Sequence, residues 1–178
     1  MQRETLSPII TVPFHGRLIH IPQQIMGSEA RTPNILVKMS TSGKSLTSSL
    51  LDRYEEYTTA YHMEYEIYRQ AEYDQSQQNY TAALPYLSDV VFAIPSETVQ
   101  TDIFNLLLKS VPLELIEFVE IQNTGSSHEP REVISFMNCV LTNARRYNTC
   151  WGGDIRNNVL IVAFRATQWS LKVISLDQ

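Results

Sequence analysis

LTSSLLDRYEEYTTAYHMEYEIYRQAEYDQSQQN, residues 46–79, contains no proline and no glycine. Along it Leu50, Tyr54, Tyr57, Tyr61, Tyr65 and Tyr68 follow one another in steps of 4, 3, 4, 4 and 3. That spacing lies close to 3.5 residues, the repeat that aligns apolar side chains along one stripe of an α-helix. The segment decides the fold, and its spacing predicts one long amphipathic helix that frays through the polar run at residues 74–79. A helix of about 33 residues would be ~50 Å long, more than a domain of this size can cover. Part of it should project, and it would carry Tyr65, Tyr68, Tyr73 and Tyr80 outward.

On the N-terminal side, residues 8–14 and 17–21 are β-rich runs separated by His15-Gly16, which predicts an edge hairpin containing Pro13. Residues 34–39 read as a third strand, followed by a Ser/Thr-rich loop at 40–45. On the C-terminal side, residues 89–94 read as a strand bounded by Pro95. Ser96 then caps a short helix whose stripe is Val99, Ile103, Leu106 and Leu107. Residues 113–121 fit neither period cleanly and are read as a strand on their β-branched and aromatic content. Pro130 opens a third helix with Val133, Met137, Val140, Leu141, Ala144 and Tyr147 on its inner face. Residues 158–164 and 169–176 form a closing hairpin. The expected fold is one α+β domain spanning residues 1–178: a mixed or mainly antiparallel sheet with terminal hairpins, one long helix and two shorter helices packed on it.

The chain has 178 residues, 43% of them hydrophobic and 19% charged, which suits a globular protein that buries one core. A formal net charge of -5 disfavours general binding to nucleic acid. The basic doublet Arg145-Arg146 falls in the last turn of the expected third helix, where it complements the helix dipole. Cys139 and Cys150 read as reduced thiols in a cytoplasmic setting. The N-terminal apolar run is interrupted by Pro13, His15, Arg17 and His20, so membrane insertion is not expected, although peripheral contact stays open.

Three local patterns invite chemistry. Residues 38–45, KMSTSGKS, resemble a phosphate-binding loop, because they follow an expected strand, open an expected helix and end in Gly43-Lys44-Ser45. That resemblance implies nucleotide binding by Lys44 and Ser45, but Lys38 stands where the loop needs glycine. Cys150-Trp151 resembles the Cys-Trp pair near the nucleophile of papain-like proteases, in which the cysteine starts a helix. Here it follows one, and every histidine (His15, His20, His62, His128) lies upstream. Glu55, His62 and Glu66 would share a face of the long helix, yet no Glu-x-x-His motif completes a metal site. No cofactor, metal or catalytic residue is assigned.

The tyrosines remain. Each buried phenol needs a hydrogen-bond partner, whereas an amphipathic aromatic surface suits contact with protein. The expected function is a non-catalytic structural or interaction protein, an adaptor subunit or a viral or accessory assembly protein. It would act through self-assembly or a protein partner, using Tyr54, Tyr57, Tyr61, Tyr65 and Tyr68. The alternatives are a small nucleotide-binding enzyme using residues 38–45, and a membrane-surface or RNA-binding accessory protein using Arg145-Arg146.

Overall fold

A computed structural model describes residues 9–14, 16–22, 24–25, 35–48, 55–124, 127–151 and 155–173. In place of an α+β arrangement, the described residues fold almost entirely into antiparallel strands, with one short helix among them. The first hairpin is present as expected. β1 (Ile9–Phe14) pairs with β2 (Arg17–Pro22), and Gly16 sits at a φ of 75° in the turn. β3 (Gln24–Ile25) and β4 (Ile35–Thr41) follow, then β5 (Lys44–Ser45), β6 (Thr58–Thr59) and β7 (His62–Glu64).

β8 (Ile67–Tyr68), β9 (Ala71–Asp74), β10 (Asn79–Ala82), β11 (Tyr86–Leu87) and β12 (Val90–Pro95) occupy the middle of the chain. A 3-10 turn at Ser96–Thr98 leads to α1 (Ile103–Leu108), whose first turn is capped by the Asp102 carboxylate accepting from the Phe104 N–H. Three long strands complete the chain: β13 (Leu113–Thr124), β14 (Ser127–Trp151) and β15 (Ile155–Val173).

The main sheet runs β4, β13, β14, β15, β12. Its two ends are joined by the segment expected to be helical. Thr58 and Thr59 pair with Val37 and Leu36 of β4, while His62, Met63 and Glu64 pair with Ala93, Phe92 and Val91 of β12. Between them the Ala60 N–H donates to Ile35 C=O at 2.9 Å and the Tyr61 N–H to Ala93 C=O at 2.8 Å. Residues 58–64 thus change partner halfway and close the sheet into a barrel, which removes both of its outer edges there. The face changes too. Ala60 and Met63 pack on the interior core, whereas Tyr61 packs on the outer wall.

The barrel is filled by side chains. Phe92, Phe118, Phe136 and Phe164, one from each of β12, β13, β14 and β15, are all at most 1% exposed. They form a closed ring of edge-to-face contacts with centroids 5.4–5.9 Å apart. Val37, Met39, Ile94, Ile116, Leu160 and Val162 pack around them, and Ile103 with Phe104 of α1 closes on the same cluster. A second apolar layer lies outside the wall. Val12, Phe14, Ile19 and Ile21 of the first hairpin cover Val91, Ala93, Val159, Ile161 and Ala163. Strands buried on both faces read as continuous apolar runs, which is why residues 159–164 and 90–95 do so.

The expected third helix is β14, paired along its length with β15. Its inward residues are Ile134, Phe136, Cys139, Leu141 and Ala144, in steps of 2, 3, 2 and 3. Asn138, at a φ of 52°, and a register shift between Leu141 and Asn143 supply the odd steps. That mixture imitates a helical stripe. The expected closing hairpin at residues 158–176 is likewise one uninterrupted strand through Val173, and the stripe Val99–Leu107 shortens to the 3-10 turn and α1.

Phe118→Ala, which deletes two ring contacts and leaves a cavity among fully buried neighbours, is expected to lower unfolding free energy by about 3–5 kcal/mol in denaturant titration. Tyr57→Phe removes one hydrogen bond to Glu117 at the barrel's closing seam and should cost about 1 kcal/mol.

Candidate interaction surface

Beyond the barrel wall the hairpin of β7 and β12 continues outward. Ile67 and Tyr68 pair with Leu87 and Tyr86, and Ala71–Asp74 pair with Asn79–Ala82. The Ser88 N–H donates to Glu66 C=O and the Ala83 N–H to Gln70 C=O, so residues 62–74 and 79–93 form one interrupted antiparallel ladder. Its root is barrel wall; its tip is the turn at residues 75–78. This arm replaces the expected projecting helix. The Asp74 carboxylate accepts from the Ser76 N–H at 2.9 Å and from the Ser76 hydroxyl at 2.6 Å, which fixes the turn and holds the carboxyl below its usual range.

The arm presents aromatic surface to solvent. Tyr68 stacks on Tyr86 with centroids 5.7 Å apart, and Tyr73 meets Tyr80 edge-on at 5.2 Å. These four rings are 50–68% exposed, with Ile67 at 45% and Leu84 at 82%. Cross-strand aromatic pairs stabilise the ladder beyond Tyr65 and Leu87, which still pack on the barrel core. The arm's ionisable groups are mainly acidic: Glu66, Glu72 and Asp74 against Arg69.

The expected interaction residues do not form one stripe. Tyr54 lies outside the described residues. The Tyr57 hydroxyl donates to Glu117 Oε1 at 2.5 Å, and Ser135 donates to the other oxygen at 3.0 Å. Tyr61 is partly buried beneath the first hairpin, and burial, then the charge of Glu97, pushes its phenol pKa upward. Tyr65 meets Phe136 edge-on at 5.6 Å, and burial followed by Glu132 raises its pKa. Tyr68 alone of the five reaches the arm. The sequence reading missed Tyr86, Ile67 and Leu84 as partners of that surface. The usable signal was the polar hexapeptide at 74–79 between two short runs that each carry an exposed tyrosine, a turn rather than a fraying helix.

The other candidates also move. Residues 41–44 form the tight turn of the β4–β5 hairpin, with Ser42 and Gly43 at φ of 51° and 74°, and it opens onto the strand Lys44–Ser45 rather than a helix. Lys44 and Ser45 therefore lack the helix N-terminus that a phosphate loop uses. Ser45 donates to Glu56 C=O at 3.0 Å. His62 sits on a strand, with Nε2 3.3 Å from Glu64 Oε2, so no helix face gathers Glu55, His62 and Glu66. Cys139 is buried against Phe136 C=O, and burial pushes its thiol pKa up to about 12. The side chain of Cys150 lies outside the described residues. Arg145 and Arg146 lie mid-strand: Arg145 donates to Pro13 C=O at 2.6 Å and Arg146 rests 5.7 Å from the Phe104 ring.

No family model and no curated protein matches the chain. Solved structures do. An Hcp protein aligns over 78% of this chain and 90% of its own, with a TM-score of 0.61 at 12% identity. A type six secretion system protein aligns over 83% and 87%, with a TM-score of 0.68 at 9% identity. A chain of the anti-feeding prophage baseplate, a structure symmetrised six-fold, aligns over 85% and 100%, with a TM-score of 0.54 at 7% identity. At these identities the likeness is one of fold: the chain has the β-barrel fold of the Hcp structures.

The Cys139 thiol should resist a disulfide reagent at pH 8 in the native protein and react once denaturant opens the barrel, because the thiolate is the attacking form. Rapid native labelling of Cys139, located by mass spectrometry, would contradict its placement.

Proposed function

We propose that this chain is a non-catalytic structural subunit that works by self-assembly within a secretion or injection apparatus. The arm carries this reading. Four tyrosines and two aliphatic side chains on the ladder are 45–82% exposed, and exposed apolar surface of this kind marks an association site. The fold shared with an Hcp protein, a type six secretion system protein and a prophage baseplate chain supports the same reading.

The long strands add a second support. β13 accompanies β14 up to Cys139, and β12 accompanies β15 from Val159 to Phe164. Among the described residues, positions 140–151 of β14 and 165–173 of β15 therefore pair on one side only. Two such edges at opposite ends of one ladder can add to edges of other copies, a heterologous contact that closes a ring when the rotation allows.

Light scattering at increasing protein concentration is expected to show an oligomer larger than a dimer, and negative-stain microscopy a closed ring. Replacing Tyr68, Tyr73, Tyr80 and Tyr86 together by alanine should weaken assembly while leaving the barrel's denaturation midpoint nearly unchanged. A wild-type chain that stays monomeric at high micromolar concentration would refute the reading.

A further inference from the structure

We infer that the arm carries two oxidative modification sites, at which facing tyrosines of one chain couple to dityrosine and staple the two strands together. The co-reactant is a one-electron oxidant, of the class formed when a haem peroxidase meets hydrogen peroxide. The inference stands on the geometry of the ring pairs and is independent of how copies assemble.

The register makes the pairs. Tyr73 lies directly opposite Tyr80 between β9 and β10, and Tyr68 directly opposite Tyr86 between β8 and β11. Residues so placed hold their Cβ atoms about 4.5–5.5 Å apart on one face of the ladder. Their rings follow: the first pair is edge-on at 66° with centroids 5.2 Å apart, and the second is stacked at 25° with centroids 5.7 Å apart. Exposed side chains turn between rotamers in picoseconds to nanoseconds. The ring carbons beside the two hydroxyls therefore meet by side-chain rotation, with the strands left in register.

Exposure admits the oxidant. Tyr73 and Tyr80 are 55% and 68% exposed, and Tyr68 and Tyr86 are 50% and 56% exposed. Three other tyrosines are engaged with the barrel instead: Tyr57 donates to Glu117, Tyr61 packs beneath the first hairpin and Tyr65 meets Phe136.

The chemistry balances within one pair. Each phenol gives up its hydroxyl hydrogen as one electron and one proton, leaving a phenoxyl radical. The two radicals join through a new C–C bond between ring carbons ortho to the oxygens, and the hydrogen on each of those carbons moves to its phenol oxygen. Two electrons and two protons have then left the pair, and they reduce one hydrogen peroxide to two waters. A two-stranded ladder is marginal in water by itself, and a covalent tie between its strands removes open conformations, as a disulfide does.

Treatment of the full chain with peroxidase and hydrogen peroxide, at low protein concentration, tests the pairing. Proteolysis at Asp74 separates Tyr68 and Tyr73 from Tyr80 and Tyr86 unless they are coupled. The expected products are dityrosine fluorescence in chains that still migrate as monomers in denaturant, and linked peptides two hydrogens lighter than their sum, joined 73 to 80 and 68 to 86. Amide hydrogen exchange at Ala71–Asp74 and Asn79–Ala82 should slow on coupling. Tyr73→Phe keeps the ring and should lose the first link while retaining the second; Tyr86→Phe should do the reverse, both with wild-type denaturation midpoints. Absence of dityrosine, covalent dimers as the sole product, or undiminished monomer fluorescence in the double variant Tyr73→Phe, Tyr86→Phe would overturn the inference.

Discussion

Four phenylalanine rings decide what the rest of the chain must do. Phe92, Phe118, Phe136 and Phe164 come from four different strands, and each meets two others edge-on. A ring of this kind fixes the register of β12, β13, β14 and β15 relative to one another, because a slip of one residue would turn a phenylalanine outward. The wall that carries it needs closing, and residues 58–64 supply the closure by pairing first with β4 and then with β12. The same wall is apolar on its outer side at Val91, Ala93, Val159, Ile161 and Ala163, so it also needs the first hairpin as a cover. Interior packing, closure and cover follow from one constraint.

Much of the strand content was legible. The first hairpin, the strand at 34–39, the strand at 89–94 and the strand at 113–121 were read from β-branched and aromatic runs and turn residues, which act locally. The two helices that failed did so for a shared reason. Tyr57, Tyr61 and Tyr65 are four residues apart, near the helical repeat, yet the segment that carries them changes partner and face at residues 60–61, so they pack on three different clusters. In β14 the irregularities at Asn138 and Asn143 broke alternation into steps of two and three. Neither ambiguity can be resolved within the segment, because the deciding pairs are Val37 with Thr58 and Phe136 with Trp169, far apart in sequence. Of the site, the idea of a projecting tyrosine-bearing element was legible, whereas its ladder and its partner Tyr86 depended on the turn at 75–78.

Unequal strand lengths shape the surface. β14 and β15 outrun their neighbours in opposite directions, and Arg145, Arg146, Arg165 and Lys172 lie along the stretches left over. Charged side chains on a strand edge discourage indiscriminate pairing, since an arriving strand must accommodate or neutralise them. Arg165 is already matched by Asp89 at 2.7 Å at the root of the arm. The edges are therefore selective rather than simply open.

The arm's ladder also sets a rule for how its length can change through descent or engineering. Tyr73 faces Tyr80 and Tyr68 faces Tyr86, with the register shifting by one residue between Glu64 and Ile67 and again between Tyr68 and Ala71. Adding or deleting an even number of residues in each strand moves the tip nearer or farther with its tyrosines on the same side. An odd change in one strand requires a bulge or turns the aromatic row to the opposite face. Reach can therefore be adjusted in increments of about 6–7 Å, two residues at a time, while the barrel beneath is left untouched.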